Sequence, residues 1–221
     1  MLWRISDIAE RFVCFNDDFI VLRRVDARDF FHDDRVVLRG DWRRQTAQSA
    51  WRNAIKRLRK SGSASAAGNR RAQEHSARMI GFDDRYFGLY HVPYVYRRAT
   101  MAEFFDANPR VLDAQLAHRL RSPEQFLAES LSAHIEIARE HAEIDNRLRI
   151  VQLKPAEQAP WRLRAKLRRA DRDPACSFAC VQSLDLAPPA VRRDVEAWLD
   201  RRIGSVEAAL TASDAHRNND D

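Results

Sequence analysis

Hydrophobic positions recur at helical spacing over most of this chain. Ile5, Ile8, Phe12 and Phe15 share one face of a helical wheel, which predicts a short amphipathic helix over 2–15. The same kind of spacing predicts further helices from residue 69 onward and over 41–60, 100–108, 109–121, 122–149, 160–172 and 188–210. A predominantly helical chain is therefore expected.

The helix predicted over 41–60 has signals at both ends. Asp41, directly after Gly40, is a favourable N-cap, and Ser61 with Gly62 would end the helix. The small residues of 61–69 then predict a flexible loop or a boundary.

Short β-prone runs interrupt the helical pattern. The runs 19–22 and 35–38 each follow an Asp-Asp pair and are expected to pair as a small ribbon. The aromatic segment 86–96 favours strand or irregular core, and 177–182 favours a short strand. The predicted fold is thus mainly α with a small β element. It forms a single globular helical domain over 1–210, followed by a disordered polar tail over 211–221.

Composition narrows the class of protein. The chain has 221 residues, of which 45% are hydrophobic and 32% are charged, as is typical of a folded domain with a heavily charged surface. No apolar run reaches the length of a membrane span, so no membrane partner is expected. The first residues lack the pattern of a secretory signal, and three cysteines make no disulfide framework, so the expected location is cytoplasmic.

Positive charge is concentrated in one segment. Residues 39–71 contain ten arginines and lysines against the single acid Asp41, a local net charge of +9 in a chain whose total is +6. A charge this localised can attract phosphates or an acidic protein surface. A second basic segment, 160–172, has a local net charge of +5.

The predicted helix over 41–60 suggests how the first basic segment is used. Trp51 lies on the face that would enter the core, and the far face, with a tryptophan near its start, forms the predicted nucleic-acid contact: Trp42, Arg52, Lys56, Arg59 and Lys60. The cations would follow phosphates, and Trp42 would stack on an unpaired base. Two other interpretations of this basic face stay open. It could be the ordinary solvated side of an amphipathic helix, or a surface that binds an acidic protein partner.

Histidines define a second candidate site. On the helix predicted over 122–149, His134, His141 and Asp145 fall on the apolar face, whereas Glu136 turns outward. These three residues are the candidate catalytic groups of a metal-dependent hydrolase, since His141 and Asp145 lie one turn apart and could share an ion.

A metal ion at these histidines would need further ligands from elsewhere in the chain, such as His118 or Asp33. The competing interpretation is that the histidines are core residues satisfied by local hydrogen bonds. We prefer that interpretation because neither HExxH nor ExxH spacing is present.

Other catalytic and nucleotide-binding motifs are missing from the sequence. It contains no glycine-rich phosphate loop, zinc-finger spacing or GxSxG elbow, so no cofactor and no metal are assigned. The sequence favours a non-enzymatic cytoplasmic binding protein that uses a basic helical face to engage nucleic acid. The alternatives are the metal-dependent hydrolase and an adaptor that binds an acidic protein partner.

Overall fold

The protein is a mixture of helices and strands. The computed structural model describes residues 2–46, 64–119 and 125–205, and only the backbone of 64–67. These ranges contain six α-helices and ten strands in four small sheets, so the prediction of a mainly α fold is wrong.

The elements are short and follow one another closely. The strands are β1 (Arg11–Cys14), β2 (Phe19–Val21), β3 (Phe31–His32), β4 (Arg35–Leu38), β5 (Gly40–Arg44), β6 (Arg85–Leu89), β7 (Tyr94–Arg97), β8 (Ala142–Ile144), β9 (Arg149–Leu153) and β10 (Cys176–Val181). The helices are α1 (Ala64–Arg78), α2 (Arg98–Ala107), α3 (Pro109–Leu116), α4 (Ala128–Ala138), α5 (Pro160–Arg172) and α6 (Pro189–Ile203). Within the described ranges, no helix combines the length and the apolar character needed to span a bilayer.

The predicted N-terminal helix is wrong. Leu2–Arg4 forms one turn of 3-10 helix, and the chain then enters β1, which pairs antiparallel with β7. This pairing sets Phe12 opposite Tyr96, with the two ring centroids 5.3 Å apart. A cross-strand partner more than 80 residues away in the sequence therefore overrides the local helical spacing.

The helix predicted over 41–60 does not begin at Asp41, because this residue lies inside β5, paired antiparallel with β6. A Cβ atom on Gly40 would lie 2.5 Å from the carbonyl oxygen of Gly88, so the two strands can approach this closely only if residue 40 is glycine. Residues 47–60 of the predicted helix lie outside the described residues.

The helix predicted over 122–149 is also wrong in its second half. Helix α4 ends at Ala138, and Glu140 has a positive φ of 61°, which takes the backbone out of the helical conformation. The chain continues as β8, parallel to β4, and then as β9, parallel to β10.

Several other predicted elements are confirmed. Helices α2, α3 and α6 occupy predicted helical segments, and α5 spans 160–172 as predicted. The runs 19–22 and 35–38 do contain strands, but these strands are not partners: β2 pairs with β10, whereas β4 pairs with β3 and β8. The tail over 211–221 lies outside the described residues.

The chain divides into two compact units, each with its own core. The first comprises the described residues of Met1–Cys14 and Ala27–Asn146, and the second those of Phe15–Asp26 and Arg147–Asp221. One core cluster of the first unit is aromatic and aliphatic, and its buried members are Tyr96, Met101, Phe105, Phe126, Leu131 and Ile135.

The second unit is built on a three-stranded sheet of order β2-β10-β9. Strands β9 and β10 run parallel and are connected through α5, and all six residues of the central strand β10 are buried, as expected for a strand with a neighbour on each side. Helices α5 and α6 share one core cluster with these strands, in which Leu163, Val195 and Trp198 are 1% exposed or less.

Candidate nucleic-acid interface

Helix α5 has a buried face and a basic face. Leu163, Leu167 and Ala170 recur at i, i+4 and i+7 and are buried in the core of the second unit, which anchors the helix. Pro160 occupies the first turn, where its missing N–H leaves no hydrogen bond unmade. The helix also has one acid, Asp171, and six basic residues: Arg162, Arg164, Lys166, Arg168, Arg169 and Arg172.

The flank of α5 that carries Arg164 and Asp171 is engaged with α6. Nε of Arg164 donates to Oδ2 of Asp194 at 2.8 Å. Oδ1 of Asp171 accepts a hydrogen bond from Nε1 of Trp198 at 2.8 Å and lies 3.6 Å from Nη1 of Arg202. The single acid of α5 therefore neutralises charge on α6 and not on the outer face of its own helix.

Trp161, Arg168 and Arg172 form a stripe on that outer face, called here the α5 stripe. At about 100° per residue, both arginines lie within about 20° of Trp161 and opposite Leu163 and Ala170. Both are exposed, and neither guanidinium group forms a hydrogen bond or salt bridge with any described residue. The stripe thus presents two exposed guanidinium groups that no described residue engages.

Trp161 is the aromatic member of the stripe, and its side chain is 66% exposed. Cζ of the neighbouring Arg162 lies 5.0 Å from the ring centroid, within the range of a cation–π contact. The sequence interpretation missed this residue, although the spacing of Trp161, Arg168 and Arg172 on the predicted helix contains the signal.

Trp42, the stacking residue expected from the sequence, lies on β5 in the first unit and is half-buried. Its ring centroid is 5.7 Å from those of both Phe82 and Phe87, and Cζ of Arg85 lies 4.2 Å from it. These contacts give the Trp42 indole a packing role in the first unit.

The four cations expected beside Trp42 lie outside the described residues: Arg52, Lys56, Arg59 and Lys60. Among the described cations of the same basic segment, Arg43 and Arg44 are exposed. Arg39 is 2% exposed and donates from Nη2 to the carbonyl oxygen of Asp29 at 2.5 Å. It is therefore a buried structural residue of the first unit.

His134 is a fully buried residue with both ring nitrogens in use. Nδ1 donates to the carbonyl oxygen of Ser130 at 2.6 Å, and Nε2 accepts from the backbone N–H of Phe87 at 2.9 Å. Burial lowers the pKa of His134 and outweighs the Ser130 hydrogen bond, which acts in the opposite direction, so the neutral ring is favoured. Because its only lone pair is occupied, His134 has none left for a metal ion.

His141 and Asp145 do not share a helical face with His134, since α4 ends before them. His141 precedes β8, and Asp145 follows this strand and donates its N–H to the carbonyl oxygen of Leu38 at 3.0 Å. Within the part of the chain that the structure describes, the three residues do not come together as a set of metal ligands, and neither Asp33 nor His118 joins them in such a set.

Glu136 is buried, contrary to the prediction that it turns outward, and is 1% exposed. Its Oε1 accepts from Oγ1 of Thr100 at 2.5 Å. Its Oε2 lies 3.9 Å from Nη1 of Arg97 and 4.0 Å from Nδ1 of His141, and no described residue donates a hydrogen bond to it. Burial raises the pKa of the Glu136 carboxyl, more than the Thr100 hydrogen bond and the nearby Arg97 lower it.

The buried position of Glu136 had no signal in the sequence. On a helix continued to residue 149, the wheel aligns His134 with His141 and sets Glu136 on the opposite side. The actual helix ends at Ala138, and the chain turns back so that His141 comes beside Glu136.

Sequence comparisons assign this chain to no family. No protein-family model matches it, and no curated protein matches it significantly in sequence. Function is therefore inferred from the residues and their geometry.

Proposed function

We propose that this protein binds nucleic acid through the outer face of α5. The observation that carries the proposal is the pair Arg168 and Arg172, which are exposed, one turn apart and without a partner among the described residues. They lie opposite the face that anchors the helix in the core of the second unit.

Free arginines at this spacing suit a chain of phosphates. A guanidinium group presents a planar fork of donors that can bind phosphate oxygens in pairs. Four residues of helix place Arg168 and Arg172 about 6 Å apart along the axis, and one strand of nucleic acid presents a phosphate every roughly 3.4 Å of its axis. Both arginines can therefore contact phosphates of one strand, without first breaking a salt bridge to another described residue.

The helix that presents the two arginines is held firmly in the second unit. The Arg164–Asp194 ion pair and the hydrogen bond from Trp198 to Asp171 fasten one flank of α5 to α6. A helix fixed in this way loses little further freedom when a ligand binds, so more of the electrostatic attraction contributes to affinity.

The proposal keeps the four cations first expected from the sequence as further phosphate contacts: Arg52, Lys56, Arg59 and Lys60. An acidic protein partner would use the same kind of charge and is separated from nucleic acid by the experiment below. We do not extend the proposal to hydrolysis, because both ring nitrogens of His134 are occupied and no metal-ligand set forms around it in the described residues.

The test compares Arg168→Ala/Arg172→Ala with Arg193→Ala/Arg201→Ala, in which two exposed arginines of α6 are removed. Binding of the full chain to a labelled 20-nucleotide DNA, single-stranded and duplex, is measured by fluorescence anisotropy over a range of salt concentrations. The α5 variant should lose about tenfold or more in affinity, and its log–log salt slope should fall by about 1.5. The α6 variant has the same net charge and should bind within about twofold of wild type.

Equal binding by the two double variants would contradict the proposal, as would the absence of wild-type binding at low salt. In the latter case the acidic protein partner becomes the better explanation of the basic face. Charge reversal of Arg52, Lys56, Arg59 and Lys60 to glutamate tests the other segment, and binding unchanged by it would remove those four residues from the proposed contact.

A further inference from the structure

We infer that the nucleic acid bound on α5 is single-stranded, with one unpaired base stacked on Trp161. This inference rests on the proposed function and specifies the form of nucleic acid. The observation behind it is an indole that is 66% exposed on the same stripe as Arg168 and Arg172.

Trp161 differs from the other tryptophans that the structure describes. Trp198 is 1% exposed, the Trp3 ring stacks on Phe105 with centroids 4.7 Å apart, and Trp42 packs under Arg85. Only Trp161, among these four, leaves most of its ring surface to solvent. The guanidinium of Arg162 lies over one face of the ring, with Cζ 5.0 Å from the centroid, so a base would stack on the opposite face.

The spacing along the helix matches a strand that runs parallel to its axis. Trp161 is about 10 Å from Arg168 and about 16 Å from Arg172 along the axis. At roughly 3.4 Å per stacked nucleotide, the first distance corresponds to about three nucleotides. A base on Trp161 would therefore be followed along the strand by phosphates within reach of both arginines.

A single strand fits this surface better than a duplex. In a duplex the faces of each base are covered by its neighbours in the stack, so an exposed indole on a convex helix has no base face to contact. Aromatic rings combined with basic side chains are the means by which proteins hold single strands without reading their sequence.

A lipid surface is the other ligand that exposed tryptophan and arginine can indicate. Helices that lie on membranes insert an apolar face between the lipids. The apolar face of α5, with Leu163 and Leu167, is buried in the core of the second unit and is not available for insertion. We therefore commit to nucleic acid.

The test uses Trp161→Ala, with Leu186→Ala as a matched control, because Leu186 is a 72% exposed apolar residue of the same unit outside the stripe. Affinities for dT20 and for the dT20·dA20 duplex are measured at one salt concentration on the full chain. We expect wild type to prefer dT20, and Trp161→Ala to lose about tenfold or more in affinity for dT20 with duplex binding within about twofold. Trp161→Phe should retain most of the affinity, and Leu186→Ala all of it.

Intrinsic fluorescence gives an independent readout of stacking. Binding of dT20 should quench part of the tryptophan emission of wild type, and this part should be missing in Trp161→Phe.

The outcomes distinguish the inference from the proposed function. If Arg168→Ala/Arg172→Ala weakens binding of both DNAs while Trp161→Ala weakens neither, the single-strand inference is overturned and nucleic-acid binding stands. If wild type binds neither DNA at low salt, the proposed function fails and the inference with it. Binding of wild type, weakened by Trp161→Ala, to anionic phosphatidylserine vesicles but not to DNA would overturn both in favour of a lipid surface.

Discussion

The guanidinium of Arg97 donates a hydrogen bond to the imidazole of His141, with Nη1 3.1 Å from Nδ1. Arginine has no acceptor, so Nδ1 must supply the lone pair, and the proton of the neutral ring is on Nε2. The same Nη1 also donates to the carbonyl oxygen of Asp34 at 3.2 Å. Arg97 thus donates its hydrogen bonds to His141 and Asp34. Its Nη1 stays 3.9 Å from Oε2 of Glu136, which is too long for a hydrogen bond to the buried carboxylate.

The Glu136→Gln variant should be more stable than wild type at neutral and alkaline pH. The pKa of Glu136 is raised in the folded state, so the contribution of this group to stability is fully present below the unfolded pKa, about 4.3, and is lost as pH rises through the folded pKa. Glutamine can still accept the Thr100 hydrogen bond and has no charge to desolvate. We expect a gain of about 1 kcal/mol at pH 8 that disappears near pH 4, measured by thermal unfolding across this range. A gain that is the same at both pH values would contradict the explanation.

Thr100→Val should have the opposite effect. It removes the hydrogen bond at 2.5 Å and leaves both carboxylate oxygens of Glu136 without a donor among the described residues, at a cost of about 2 kcal/mol at pH 7. Urea unfolding of the two single variants and the double variant gives the coupling energy. The cost of Thr100→Val should be smaller in the Glu136→Gln background, and equal costs in both backgrounds would show that the two residues act independently.

His134 and His141 should respond differently to replacement by alanine. Loss of His134 leaves the Phe87 N–H and the Ser130 carbonyl without their imidazole partner in the core and creates a cavity, so we expect a cost of about 3 kcal/mol. His141 is 41% exposed, and its partner Arg97 retains Asp34, so we expect a cost below about 1 kcal/mol.

These costs are measured by urea unfolding at pH 8. Since burial lowers the pKa of His134 in the folded state, its contribution is present above the unfolded pKa of about 6.5 and is lost as pH falls through the folded value. The cost of His134→Ala should therefore shrink on acidification. Stoichiometric metal in the purified protein that disappears in this variant would contradict the assignment of His134 as a structural residue.

Two glycine-to-alanine variants should change stability in opposite directions. A Cβ on Gly40 would lie 2.5 Å from the Gly88 carbonyl oxygen and 2.9 Å from the Phe87 ring, so Gly40→Ala must separate β5 from β6 and should cost about 2 kcal/mol or more. Gly68 lies within α1, and a Cβ added there would meet no described atom within 4 Å, so Gly68→Ala should stabilise the helix by roughly 0.5–1 kcal/mol. Thermal unfolding of both variants checks the contrast, and equal melting temperatures would contradict it.

Local sequence signals were sufficient to predict the helices whose first residue is marked by proline. Pro109 separates α2 from α3, and Pro160 begins α5, whose leucines define its buried face. The candidate interface on α5 could also be predicted from the sequence. The helix was predicted with the correct bounds, and Trp161 and Arg168, seven residues apart, fall on the same face of it. Helix boundaries and helical faces depend on neighbours a few residues away, and this is why the sequence reveals them.

Tertiary structure decided the rest. The segments 11–14 and 40–44 are strands because the segments 94–97 and 85–89, respectively, supply their backbone hydrogen-bond partners. The local sequence pattern does not identify those partner segments. The end of α4 at Ala138 likewise depends on the pairing of β8 with β4, and it brings Glu136 into the interior beside His141. Pairings between distant segments cost chain entropy that only the whole fold repays. The local Ser130 partner of His134 agrees with the preferred interpretation of a core histidine, whereas its Phe87 partner and the contacts of Trp42 and Glu136 could not be read from neighbouring residues.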